Sequence, residues 1–264
     1  MNKMHLFLLI IFLFFTNTYC HANVARKKQK KPLLVAPKKY ILQKNSQRLS
    51  LTTSIIIPCH HKHACYLYNL IEDFEKQSIL PQQIVISLSG AENISQGIIQ
   101  KINNKLWPFE IKLIVSLKSN SGSRNRNIAC DNATKDIIIC QDADDLSHFQ
   151  RIEIIKYFFE TYKIEHLMHG MVDRIEDFQI YTDFEKIKWF NFSDPGKIFG
   201  SNLRIANGPV AFRKHVFQQA KYNESINLGE DLRFNGLVYS LYKDTIVILA
   251  DIYLYNWALS TYPR

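Results

Sequence analysis

Ten residues constrain this chain more than any others: Asp136–Asp145, DIIICQDADD. Ile137, Ile138, Ile139 and Cys140 form a short apolar run rich in β-branched side chains, the pattern of a strand buried on both faces. Directly beyond it stand Asp142, Asp144 and Asp145. In open α/β sheets, ligands bind just outside the carboxyl ends of the strands. Carboxylates crowded there repel one another unless a cation neutralises them. An ordinary acidic turn is the plain alternative, and the neighbouring segments weigh against it.

The same strand grammar recurs along the chain. Ser54–Pro58 (SIIIP) is a buried-strand pattern closed by proline, followed by a loop at Cys59–His63. Leu67, Leu70, Ile71 and Phe74 fall at i, i+3, i+4 and i+7, which marks a helix laying one face on a sheet. Gln83–Leu88 and Ile111–Leu117 read as further strands, and Ser123–Ala133 as a helix leading into the acidic strand. Phe149–Tyr162 has a helical period. Residues 164–207 read as irregular and aromatic (Trp189, Phe190, Phe192, Phe199), loops and short strands that either fold over a substrate or fill a core. Val210–Phe212 reads as a strand and Arg213–Ala220 as a helical turn or two. Gly229-Glu230-Asp231 opens a helix, and Thr245–Leu249 and Ile252–Tyr255 supply late strands. Strands alternating with helices over short connections predict a mostly parallel sheet with helices on its faces.

Charge is distributed unevenly. The net charge of +9 resembles a nucleic-acid signal, but residues 1–50 hold ten of the 33 Lys and Arg and no acid. The remainder carries 23 basic against 24 acidic residues, so a nucleic-acid surface is not expected. Leu6–Phe15 is an unbroken apolar run of signal-peptide length, short for a membrane span. Residues 1–22 therefore read as a signal peptide or membrane anchor, placing the chain in the secretory pathway or cell envelope. The basic cluster Arg26–Lys31 supports the alternative of an anchor with the protein facing the cytoplasm, and membrane association through residues 1–31. Residues 23–50 read as a basic linker. The five cysteines lack CxxC spacing, which leaves zinc and thioredoxin-like chemistry poorly supported.

SIIIPCH, SGSRNRNIA, DIIICQDADDLSHFQR and GEDLRF, in that order, resemble the family 2 glycosyltransferases. The similarity spans Thr52–Asp145 and resumes at Gly208–Tyr255. It implies an α/β chain of GT-A (Rossmann-like) fold, with a nucleotide-sugar-binding half at 51–146 and an acceptor-binding half carrying the catalytic base at 147–264. It also implies transfer of a sugar from a nucleotide-diphosphate donor, a UDP-sugar foremost, to a glycan, lipid or protein acceptor hydroxyl, with inversion.

The resemblance assigns roles residue by residue. Asp144 holds Mn²⁺ or Mg²⁺, with Asp142 sharing the metal or contacting the ribose. A cation there stabilises charge on the departing diphosphate. Asp145 is expected to cap the helix that follows. Arg124 and Asn125 match an Arg-Asn pair at a helix start, placed for phosphate or base contacts. Pro58 to His60 border the nucleotide base, and His60, His61 and His63 are treated as loop residues. Asp231 matches the general base, with Glu230 positioning the acceptor. One departure concerns the Asp pair that the family usually carries after the second strand. Here the stretch is Ser87-Leu88-Ser89, which leaves Ser87 or Ser89 to give neutral hydrogen bonds to the donor. Two alternatives stay open: a GT-A-like binding protein that has lost turnover, and a nucleotidyltransferase on a related scaffold. The second needs a Gly-rich loop after the first strand, where this chain has CHHKHAC.

Overall fold

In the computed structural model, residues 50–94, 96–192, 205–226 and 228–256 are described. The expectations for 1–22, for 23–49 and for Phe199 fall outside them. No helix among the described residues is long and apolar enough to cross a membrane.

The described strands are β1 Thr53–His60, β2 Gln83–Ser89, β3 Glu110–Ser116, β4 Ile137–Cys140, β5 Leu146–Ser147, β6 His166–Val172, β7 Trp189–Asn191, β8 Ile205–Arg213 and β9 Thr245–Leu254. The helices are α1 Ala64–Phe74, α2 Gln96–Asn104, α3 Gly122–Asn132, α4 Arg151–Tyr162, α5 Val216–Gln219 and α6 Glu230–Leu241. One sheet runs β3-β2-β1-β4-β8-β6-β9-β5, with β7 also on β9. β1 is parallel to β2 and β4, β2 to β3, and β6 to β9. β8 runs antiparallel between β4 and β6. The strands of residues 51–146 and 147–264 thus join edge to edge at β4 and β8.

Alternation along the strands decides which helix covers which face. Ile55 and Ile57 of β1 pack with Leu67, Ile71 and Phe74 of α1 and with Ile155 and Phe159 of α4. Ile56 points the other way and packs with Ala129 and Cys130 of α3 and Phe234 and Val238 of α6. A parallel strand covered on both faces must be apolar at every position, hence the unbroken Ile runs.

The structure adds to or refines the expected elements at several places. Helix α2 was not anticipated, because QGIIQKINN is rich in polar residues and buries only Ile102. Residues 166–172, within the stretch read as loops and short strands, form the buried strand β6. Its apolar pattern is broken by His166 and His169, both without solvent exposure. The two late strands are one continuous β9, whose pairing with β6 shifts register opposite Gly170 and Asp251. Phe192 is core, while Trp189 packs against Tyr162 on the β7 edge. The described aromatics of this stretch therefore fill and border the fold.

Candidate active site

The acidic loop is held from beneath. Arg151, at the start of α4, is 1% exposed and all five of its N–H groups are used. They reach His169 Nε2, Gln141 Oε1, Ser147 Oγ and the carbonyls of Cys140 and Pro209. Gln141 donates in turn to the carbonyls of Asp142 and Asp145. A saturated buried guanidinium thus fixes the end of β4, where the chain turns into Asp142–Asp145. Asp145 is no helix cap: α4 begins six residues later, with Gln150 at its N-cap. Instead Asp145 is buried and accepts from Tyr253 Oη at 2.8 Å and Asn256 N–H at 2.7 Å. Burial first, then the nearby charges of Asp142 and Asp144, pushes its carboxyl well above the usual range.

Helix α3 supplies the opposing charge, from a residue other than the one expected. Ser121 caps the helix by accepting from Arg124 N–H at 3.2 Å. Arg124 itself points outward, more than half exposed, 3.6 Å from Glu224. Two residues on, about 200° round the helix, Arg126 faces inward. Its Nη2 donates to Asp142 Oδ1 at 2.9 Å and its Nη1 to Glu230 Oε1 at 2.8 Å. The signal was present in the sequence. Arg126, Ala129, Cys130 and Ala133 fall at i, i+3, i+4 and i+7, so Arg126 lies on the buried stripe of small residues.

Asn125 lines the cleft, yet its amide is spent inside the protein. Oδ1 accepts from Ser87 Oγ and Asn120 Nδ2, and Nδ2 donates to Ser89 Oγ and the Cys59 carbonyl. Ser87 and Ser89 are fully buried. They hold Asn125 and do not face the cleft, which corrects their assignment as donor contacts.

The acidic pair arrives on α6. Gly229 adopts φ +73°, a left-handed turn that glycine makes without penalty, and Glu230 begins the helix. Asp231 Oδ1 accepts from Leu232 N–H at 2.7 Å. Burial raises the Asp231 carboxyl above its ordinary value, and the Arg126 charge partly opposes that rise. Gly208, on β8, brings the two acidic segments together. A Cβ placed there would lie 3.2 Å from Asp142 Oδ2, 3.7 Å from Arg126 Nη2 and 3.8 Å from Asp231 Oδ2. The missing side chain leaves a gap flanked by both carboxylates and the guanidinium.

These groups meet at a cleft of about 220 Å³ beyond the carboxyl ends of β1 and β4. Pro58, His60, Asp142, Asp144 and Glu230 all line it. Arg124, Ser87 and Asp231 do not. His63, set aside as a loop residue, does: its Nδ1 lies 3.5 Å from Asp144 Oδ1. The Asp144 carboxylate holds the His63 imidazole above its ordinary pKa. Among the described residues no group of three or more His, Cys, Asp or Glu side chains is gathered as a metal cage. A cation here would draw its remaining ligands from substrate and water, the usual arrangement for a cation that engages a diphosphate.

No curated protein sequence matches the chain. Its fold does match solved structures. Residues 1–349 of TarS from S. aureus, in complex with UDP-GlcNAc, superpose with TM-score 0.61 at 16% identity, over 81% of this chain and 62% of that one. The same TarS segment with UDP gives 0.60 at 16% identity, over 78% and 60%. The mannosyltransferase PcManGT from Pyrobaculum calidifontis, in complex with GDP-Man and Mn²⁺, gives 0.51 at 11% identity, over 81% and 60%. The chain spans about 60% of these proteins' length. Residues 54–220 match the model of glycosyl transferase family 2. With the acidic loop and Glu230 brought to one cleft on this fold, the chain belongs to glycosyl transferase family 2.

Proposed function

We propose that the protein is a metal-dependent, inverting glycosyltransferase that moves a sugar from a nucleoside-diphosphate donor to an acceptor hydroxyl. One observation carries the reading: Asp142, Asp144 and Glu230 line a single cleft, and Asp142 and Asp231 both flank the gap at Gly208. Displacement at the anomeric carbon needs a base on the acceptor side and charge neutralisation on the leaving-group side. In this reading Asp231 takes the acceptor proton as the new C–O bond forms, while the bond to the diphosphate breaks and its electron pair leaves with the phosphate oxygen. Arg126 holds Glu230 in place beside the base. Pro58 and His60 border the nucleotide.

A divalent cation fits the acidic mouth, where burial first, and then the charges of Asp142 and Asp144, push the Asp145 carboxyl up. Asp144 would hold it, with Asp142 second, and it would supply a Lewis acid for the diphosphate oxygens. UDP-sugars are the first donors to test, because the TarS complexes hold UDP and UDP-GlcNAc. The acceptor is a glycan, lipid or protein hydroxyl. Residues 1–22 act, in the same reading, as a secretory signal or membrane anchor.

The test is a thermal-shift screen of UDP-GlcNAc, GDP-mannose and dTDP-glucose, each with and without Mn²⁺. At about 100-fold over its Kd, a true donor should raise Tm by roughly 5–10 °C, only with Mn²⁺, and not in Asp144→Ala. A donor shift that survives Asp144→Ala, or no shift with any nucleotide sugar, contradicts the proposal. A donor that binds but is never transferred or hydrolysed supports the binding-protein reading.

A further inference from the structure

The cleft contains a nitrogen that the assigned chemistry does not use. Of the three acids in the loop, Asp145 is engaged by Tyr253 and Asn256, and Asp142 Oδ1 by Arg126. Asp144 is paired with the imidazole of His63. His63 Nδ1 to Asp144 Oδ1 is 3.5 Å, longer than an ordinary N–H···O bond. Two ligands about 2.1 Å from one cation lie about 3.0 Å apart at right angles and about 3.4 Å apart at a tetrahedral angle. The observed spacing is close to the wider of these.

The placement of His63 is built into the fold. It follows directly from β1 through the 3-10 turn His61–His63 and stands at the N-cap of α1. That helix is pinned in the core by Ala64, Leu67 and Leu70. His60 and His61, its neighbours, take no part: His60 Nδ1 lies toward Lys62 N–H, and His61 Nδ1 lies against Gly90.

We propose that His63 is a nitrogen ligand to the cation at Asp144, so that the site is mixed nitrogen–oxygen and selects transition-series cations over Mg²⁺. The inference rests on the reading of Asp144 as the metal-holding acid. An imidazole donor favours ions such as Mn²⁺, Co²⁺ or Zn²⁺, whereas Mg²⁺ keeps to oxygen ligands and water.

Electron paramagnetic resonance of Mn²⁺ bound to the full chain, with and without UDP, tests it. The measurement covers the wild type, His63→Ala, His63→Asn and Asp144→Asn. The expected wild-type pulsed spectrum carries ¹⁴N coupling from one imidazole, lost in both His63 variants. Mn²⁺ affinity is expected to fall on the order of ten-fold in those variants, while Mg²⁺ affinity, read by competition, changes less than about two-fold. His63→Asn keeps a polar group of similar reach, and far-ultraviolet dichroism confirms its folding. Bound Mn²⁺ without nitrogen coupling, or equal Mn²⁺ affinity in the His63 variants, overturns the His63 assignment and leaves Asp144 standing. Unchanged binding in Asp144→Asn, or no Mn²⁺ bound by the wild type even with UDP, overturns the underlying reading as well.

Discussion

At Asp231, burial opposes charge and a nearby guanidinium favours it, with burial the larger effect. A base must be ionised to work, and a raised pKa means that ionisation is completed at higher pH than for an ordinary aspartate. Donor turnover should therefore rise with pH through a value above the usual Asp range. Removing the opposing charge in Arg126→Gln should move that limb further up. A limb at the ordinary aspartate position, unmoved by Arg126→Gln, rules out Asp231 as the titrating base. Asp231→Asn should keep donor affinity within about two-fold and lower transfer by at least 10²-fold. Asn125 presents a different case. Its four hydrogen bonds are all internal, so Asn125→Ala should cost about 2 kcal/mol of stability by orphaning Ser87 and Ser89. Urea denaturation checks this, and a stability loss under about 0.5 kcal/mol would show that the network carries no weight.

Two helices meet through one residue. Arg126 of α3 bridges Asp142 and Glu230, and its guanidinium lies 5.6 Å from the Tyr222 ring. Tyr222 stacks on Phe234 of α6 with centroids 4.1 Å apart. Asn127, next to Arg126, donates to the Tyr222 carbonyl and accepts from its N–H. Removing one partner of a buried ion pair leaves the others uncompensated, at about 3–5 kcal/mol. Arg126→Met should cost about that much, and Glu230→Ala should add little once Arg126 is gone. A double-mutant cycle in urea reads the coupling, and strict additivity would show that the bridge is not a unit.

At this scale the sequence was legible where one periodicity operated alone. The Ile runs of β1 and β4 and the Leu67–Phe74 stripe declared their elements because packing was their only task. Strand β6 did not, because His166 and His169 break its apolar run while lying in the core. Arg126 was hidden by its neighbour: two arginines two residues apart look equivalent until the small-residue stripe at Ala129 and Cys130 shows which one faces inward. His63 carried no periodic signal. Only the folded chain brings the end of β1 beside the end of β4.

For the molecule as a whole, the central strands β1, β2 and β4 are covered from both faces, and several histidines are enclosed. His148 is pushed down to about 4, and His166 and His169 to about 3, all chiefly by burial. Their folded values lie below the unfolded value of about 6.5. The unfolded chain therefore takes up protons that the folded one refuses, and stability falls as pH drops from 6.5 toward 4. Each such histidine contributes a slope of about 1.4 kcal/mol per pH unit in that window. The raised Asp145 and Asp231 carboxyls act in the opposite direction, so the cleanest reading is a difference between variants. The stability lost between pH 7 and pH 5 should be about 2 kcal/mol smaller in His148→Gln than in the wild type. Equal losses would mean that His148 is protonated in the folded protein.

The central claim is that a cation held by Asp144, in the cleft that Glu230 of α6 also lines, receives the diphosphate of a nucleotide donor. Calorimetry of UDP binding to the wild type and to Asp144→Asn, each with Mn²⁺ and with EDTA, tests it most directly. The expected result is binding by the wild type with Mn²⁺ alone, and loss of at least ten-fold in affinity in EDTA or in Asp144→Asn. UDP binding of equal strength in all four conditions would contradict the account.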